Sequence, residues 1–293
     1  MLPVRWIAVP DDLSIGMRMS SKKNDILSIK DYLASFSHPG FNAEERSNYL
    51  NFSADRLLKT LELIPEDINK KSRVLELGAS PYFMSLLLKK KPGCSIDFAN
   101  YFGENQKGNG TETLVSEKYH ERHVIRFRHF NVEKDRFPFR KGSYDLALFC
   151  EVIEHLTVDP VHSLVEINRL LKRGGYLLIT TPNVLRYENV LKLIRGENIH
   201  DHYSGYGPYG RHNREYTPGE LRALAENLGF RVVKLYTRVT GSTNVTEFSI
   251  KRLRGLIQLL TTRNRGSNIF LLARKVSEAR NLRPGWLYES MYD

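Results

Sequence analysis

Between Arg73 and Leu88 the chain changes its hydrophobic rhythm twice. Val74, Leu75 and Leu77 form an apolar run long enough only for a buried strand. Gly78 and Ala79 break it, Ser80 and Pro81 read as an N-cap and a first helical residue, and apolar positions continue to Leu88. Lys89 to Lys91 with Pro92-Gly93 close that helix. A strand, a tight glycine turn and a helix N-terminus aim backbone N–H groups at a ligand. Glu76, just before the turn, favours a ligand carrying an ammonium or hydroxyls.

The same alternation of short apolar runs and helical stripes continues on both sides. Residues 1–41 read as an irregular arm with a short helix near Ile26 to Phe36. Asn42 and Glu45 form a capping box, and the helix behind them carries Leu50, Leu57, Leu58 and Leu61 on one face. Further strands are predicted at 95–100, 124–129, 144–149, 176–180, 230–236 and 269–276, with a helix over Thr111 to His120. Asp159-Pro160 starts a helix with Val161, Leu164, Ile167 and Leu171 at helical spacing, stopped by Gly174-Gly175. Thr217 and Glu220 make a second capping box, whose helix buries Leu221, Leu224 and Leu228 and ends at Gly229.

Strands alternating with helices imply an α/β fold: a seven-stranded sheet with helices on both faces and a ligand site outside the strands' carboxyl ends. The predicted organisation is an N-terminal helical arm (1–41), a main domain (42–276) and a tail (277–293). Two insertions decorate the domain. One, at 184–216, has a helix near Tyr187 to Ile194 and is rich in tyrosine and histidine, including His200, His202, Tyr203, Tyr206 and Tyr209. It reads as a lid over an acceptor, with aromatic faces and hydroxyls that suit a sugar ring. The other, at 240–267, contains Phe248 to Leu260, a basic amphipathic stretch able to pack on the domain or to lie on anionic lipid.

At 293 residues and 41% hydrophobic, the chain suffices for one large domain with additions. No run approaches the ~20 apolar residues of a membrane span, and residues 1–20 lack the apolar core of a secretion signal. Two cysteines, Cys94 and Cys150, without metal-type spacing point to a reducing, cytoplasmic setting, or to the inner face of a membrane if the basic helix lies there. The net charge of +11 tilts towards an acidic partner: an anionic carrier, an anionic membrane surface or, less favoured here, nucleic acid. There is no G-x-x-x-x-G-K-[ST] phosphate loop, and Ser80 and Tyr82 stand where a dinucleotide-binding loop needs glycine.

The order of the pieces resembles the class I S-adenosylmethionine-dependent methyltransferases. Its carriers are V-L-E-L-G-A at 74–79, F-P-F-x-x-G-S-Y-D-L-A-L-F-C-E-V-I-E-H-L at 137–156, L-L-K-R-G-G-Y-L-L-I-T-T-P-N at 170–183 and R-E-Y-T-P-G-E-L at 214–221. The resemblance implies a Rossmann-like sheet and S-adenosyl-L-methionine as cofactor. It places Glu76, Gly78, Ala79 and Ser80 along the methionine and ribose, Asn131 and Val132 at adenine, and Cys150 and Glu151 beside the sulfonium. Asn100 stands where the family usually grips the ribose hydroxyls with an acid; Glu104 is a substitute.

Methyl transfer to a hydroxyl calls for alignment and a general base, and histidine is suited to that near neutral pH. His155 and His212, with Glu154, are the candidate catalytic residues, and this reading assigns no metal ligands. The expectation is an O-methyltransferase acting on a sugar hydroxyl of a glycan or glycosylated metabolite. Glu151, Glu154, His155 and His212 also resemble the metal-binding pattern of small-RNA 2′-O-methyltransferases, which makes metal-assisted RNA methylation the alternative. A non-catalytic, cofactor-binding scaffold is the third reading.

Overall fold

Strand β1, Arg73–Leu77, shows how the apolar runs are used. Val74 packs into a layer with the helices that precede and follow β1, whereas Leu75 and Leu77 face the opposite layer. The computed structural model describes residues 19–90, 93–104, 108–240, 264–280 and 284–288. In its sheet, alternation repeats on β5 (Tyr144–Cys150), where Leu146 and Leu148 face one way and Ala147 and Phe149 the other. It repeats again on β6 (Leu171–Pro182) and β8 (Asn268–Lys275). Burying each such leucine contributes roughly 1.5–3 kcal/mol. The two packed faces therefore fix the register, since a one-residue slip would exchange them.

The remaining described strands are β2 (Ser95–Asn100), β3 (Gly110–Ser116), β4 (Glu121–His129) and β7 (Phe230–Arg238). Their order is β3-β4-β2-β1-β5-β6-β8-β7. Strands β4, β2, β1, β5 and β6 run parallel, whereas β8 is antiparallel to both β6 and β7. Helices α1 (Met19–Ala34), α2 (Ala43–Glu62) and α3 (Phe83–Lys90) cover one face; α4 (Val161–Leu170) and α6 (Pro218–Asn227) cover the other. Helix α5 (Tyr187–Ile194) lies in the first insertion, where the hydrophobic pattern predicts it. Both capping boxes form, with Glu45 N on Asn42 Oδ1 at 2.9 Å and Glu220 N on Thr217 Oγ1 at 3.1 Å.

Three expectations are corrected. Residues 111–120 are not a helix: Thr111, Thr113 and Val115 belong to β3, which pairs antiparallel with β4, so among the described residues the sheet has eight strands rather than seven. The β-branched side chains and the buried Leu114 and Ser116 suit an edge hairpin. Ser80 does not cap a helix; α3 begins at Phe83, because Tyr82 takes a left-handed φ of 63°. The arm's helix runs well beyond Ile26–Phe36 at its start and packs along α2, burying Leu33 and Phe36. The basic stretch Phe248 to Leu260 lies outside the described residues. No helix among the described residues is long and apolar enough to cross a membrane.

Strand order turns around between β1 and β5, so a crevice opens above their carboxyl ends. The loops after β1, β2, β4, β5 and β6 all reach that edge.

Candidate functional site

The loop after β1 is held shut from beneath. Gly78 has φ 67°, and a Cβ there would lie 2.5 Å from Val152 Cγ2, so glycine is required twice over. Gly78 N donates to Ala99 O at 2.9 Å and Ser80 N to Asn100 Oδ1 at 3.0 Å. Tyr82 turns inward and is fully buried, stacked on His38 and edge-on to Phe98, and its hydroxyl accepts from Asn100 Nδ2 at 2.8 Å. The tyrosine in a glycine position thus fills the core. Asn100 spends both ends of its amide on this loop, and Ala79 is buried beneath it. Glu104 is 83% exposed and faces Lys134.

Glu76 is buried on the α3 side, where it accepts a hydrogen bond from Ser85 Oγ. Burial pushes its carboxyl up to about 7, against the pull of that bond. A folded-state value above the ordinary 4.5 means that stability is fully present below 4.5 and lost as pH rises towards 7. Glu76→Gln, which keeps an acceptor for Ser85, is expected to flatten this dependence and to gain up to about 3 kcal/mol at pH 8. Denaturant melts of both proteins at pH 5 and pH 8 check it; parallel pH profiles would count against a buried, ionisable Glu76.

On the far side of the crevice, Asn131 is fixed by an Asx turn: Oδ1 accepts Glu133 N at 2.9 Å, leaving Nδ2 to donate to Tyr209 Oη at 2.9 Å. The group it offers a base is thus a donor, suited to a ring nitrogen rather than to an exocyclic amine. Val132 is half-buried, with its carbonyl on Ser163 Oγ. Glu133 accepts from Thr157 N, Thr157 Oγ1 and Val158 N, tying the end of β4 to the loop after β5.

At the end of β5, burial pushes the Cys150 thiol up to about 12, so it stays protonated. Glu151 has φ 54°, and its carboxylate faces Arg56 Nε at 3.6 Å and Asn268 Nδ2 at 3.4 Å. Arg56 was not anticipated. Its signal was present: Tyr49, Ser53, Arg56 and Thr60 fall on one helical stripe, and Ser53, Arg56 and Thr60 are buried. Its guanidinium also donates to Tyr49 Oη at 3.0 Å.

A second cluster unites the three candidate catalytic residues. Glu154 is completely buried; Oε2 accepts from Thr181 Oγ1 at 2.9 Å, while Oε1 has no hydrogen-bond partner and lies 3.9 Å from His155 Nε2. Burial, reinforced by Glu151, holds its carboxyl well above the usual range. His155 Nδ1 meets Arg211 O at 2.9 Å, which requires the proton on Nδ1 and leaves the Nε2 lone pair free. Burial and the neighbouring His212 lower its pKa. The His155 and His212 rings lie 5.1 Å apart. His212 Nδ1 meets Glu215 Oε1 at 3.0 Å, and although burial opposes it, Glu215, Glu154 and Asp201 raise its pKa. Glu215 is partly buried, which would raise it, yet bonds from His212 and Arg186 bring it down to about 2. Asn213 staples the insertion here, with N on Glu154 O at 2.7 Å and Nδ2 on His155 O at 2.9 Å.

His212 lines a cavity of about 440 Å³ together with Leu156, Asp159, His200, Tyr216 and, from the tail, Leu287. The insertion's tyrosines divide: Tyr203 and Tyr206 are 90% and 95% exposed, whereas Tyr209 and Tyr216 turn inward.

Residues 48–235 match the family model described as a methyltransferase domain. The match spans more than half of the chain, which therefore belongs to the methyltransferase-domain family, and to its class I branch that draws the methyl group from S-adenosyl-L-methionine. A SAM-dependent methyltransferase from Archaeoglobus fulgidus is 18% identical, covering 75% of this chain and 93% of that one with a TM-score of 0.50, which speaks for the fold. A putative methyltransferase from Haloferax volcanii, solved with the Trm112 activator, is 13% identical over 84% of this chain and 96% of that one, with a TM-score of 0.49. No curated protein matches the sequence.

The residues present fit that cofactor. The glycine turn, Glu151 and the buried Arg56 offer partners for a sulfonium amino acid, and Asn131 Nδ2 and the Tyr101 ring offer a donor and an aromatic face to its base.

Proposed function

We propose that the chain methylates a hydroxyl oxygen on a sugar of a glycan or glycosylated metabolite, with His155 as general base. When bound, the cofactor would supply an electrophilic methyl group on a sulfonium, whose carbon–sulfur bond would break to give a neutral thioether. His155 Nε2 takes the hydroxyl proton while the new C–O bond forms. What carries this reading is the tautomer that Arg211 O imposes on His155: an unprotonated Nε2, 5.1 Å ring to ring from the His212 that lines the cavity. The exposed Tyr203 and Tyr206 and the net charge of +11 suit a polar, anionic acceptor. The cytoplasm remains the expected setting. Transfer of labelled methyl to a panel of sugar hydroxyls tests the proposal. Cofactor binding without transfer to any acceptor favours the scaffold reading.

One observation favours a second reading, metal-assisted methylation of an RNA 2′-hydroxyl. Glu154, His155 and His212 each offer a ligand atom, all within 4.8 Å of one another. Both imidazoles are anchored through Nδ1, as second-shell partners orient metal ligands. Glu151, the fourth residue of that pattern, faces Arg56 and Asn268 instead. Chelator and Glu154→Gln separate the readings. A protonated structural acid tolerates glutamine, so the base reading expects activity within about threefold of wild type in either condition. The metal reading expects at least a tenfold loss from the substitution, and a loss in chelator that Mn²⁺ restores.

A further inference from the structure

The insertion that borders the acceptor cavity also reaches into the cofactor's half of the crevice, through Tyr209. This residue sits in a single turn of 3-10 helix, Pro208–Gly210. Its hydroxyl accepts from Asn131 Nδ2 at 2.9 Å and lies beside Glu133 and Thr157. Its ring stands edge-on to Tyr101 at 5.4 Å, and Tyr101 in turn stacks on His129 at 5.3 Å. Tyr101 follows β2 and Asn131 follows β4, so Tyr209 bridges two neighbouring strand ends, one of which carries the residues that the resemblance places at adenine.

Two facts make this a competition rather than a wall. The first is the Asx turn: with Oδ1 committed to Glu133 N, the amide of Asn131 presents Nδ2, and Tyr209 Oη already holds one of its two N–H groups. A base that approached that N–H between Asn131 and Tyr101 would meet the Tyr209 hydroxyl and ring. The second is the route by which the insertion is fastened. Asn213 Nδ2 donates to Pro208 O at 2.7 Å and to His155 O at 2.9 Å, and Asn213 N donates to Glu154 O. The turn that carries Tyr209 is thereby tied, through one side chain, to the backbone of Glu154-His155 and to the neighbouring His212. Gly207, on one side of the turn, has φ 82° with nothing within 4 Å of its missing Cβ, whereas Gly210 on the other packs against Ser204 and Tyr206.

We propose that Tyr209 occupies the place of the adenine base, and that cofactor binding displaces it and resets the stretch from Pro208 to His212. The inference rests on the cofactor reading above and adds an order of events: the cofactor binds first, and its arrival shapes the acceptor side. Tyr209 acts through Asn213 and His212, as a positioning residue. A site whose competent form is only partly populated binds its ligand more weakly by that fraction. Removing the competitor should therefore tighten binding.

Titration calorimetry of S-adenosylhomocysteine and of adenosine against wild type, Tyr209→Phe and Tyr209→Ala tests this, with circular dichroism to confirm folding. We expect Tyr209→Ala to bind both ligands roughly 5-fold or more tightly than wild type, with Tyr209→Phe in between because it loses the bond to Asn131 but keeps the ring. The gain should be equal for adenosine, since the base does the displacing. Binding that weakens in Tyr209→Ala, or stays within about twofold, overturns the proposal and leaves the cofactor reading intact. Absence of binding to all three folded proteins overturns both.

Discussion

Gly78→Ala is expected to abolish measurable binding of S-adenosylhomocysteine and to lower stability by about 2–4 kcal/mol. Two independent costs combine. A φ of 67° is left-handed, where alanine is strained by about 1 kcal/mol relative to glycine. The new methyl would also lie 2.5 Å from Val152 Cγ2, a separation that packed atoms do not sustain, so the loop or the turn after β5 must shift. Neither is free to do so locally. Gly78 N and Ser80 N are bonded to Ala99 O and Asn100, and Val152 follows Glu151, whose own φ is 54°. Misplacement is therefore passed to both walls of the crevice. Val152→Ala in the same chain removes the clash but not the strained φ, and should restore part of the stability and little of the affinity. Scanning calorimetry with and without S-adenosylhomocysteine measures both terms. A Gly78→Ala protein that binds within about threefold of wild type would mean that the cofactor does not approach this turn.

How much of this was legible beforehand depends on the range of the interaction. The capping boxes at Asn42 and Thr217 and helix α5 could be read from residues three or four apart, because their bonds are local. The strands at 74–77 and 144–149 were legible as short apolar runs because both of their faces are buried. Residues 111–120 failed for the converse reason: β3 is an edge strand with Leu114 as its buried hydrophobe, so its pattern carries little period-two signal. Ser80-Pro81 carried a true helix-start signal, overridden when Tyr82 went into the core beside His38. The site shows the same division. Sequence order places Glu154 and His155 on one loop, but nothing local says that Arg211 O fixes the tautomer, that Arg56 faces Glu151, or that Tyr209 meets Asn131. Those pairings span 56 to 95 positions and exist only in the folded chain.

His155→Asn should lower kcat by about 10²–10⁴-fold while leaving stability and S-adenosylhomocysteine affinity close to wild type. Asparagine is chosen for its geometry: its Nδ2 can take over the bond that His155 Nδ1 makes to Arg211 O, so the insertion stays fastened while the base at Nε2 is lost. The paired substitution is His212→Asn. His212 faces Glu215 and Asp201, which raise its pKa, so it is suited to holding charge near an acceptor rather than to taking a proton. Its loss should fall mainly on KM. Steady-state kinetics with labelled methyl transfer would read the split directly. Equal kcat losses in both variants, reversed by Mn²⁺, would transfer the argument to a shared cation held by Glu154 and the two imidazoles. A His155→Asn enzyme within a few-fold of wild-type kcat would remove the base and leave alignment in the crevice as the source of rate, which is the other way a sulfonium methyl can be delivered.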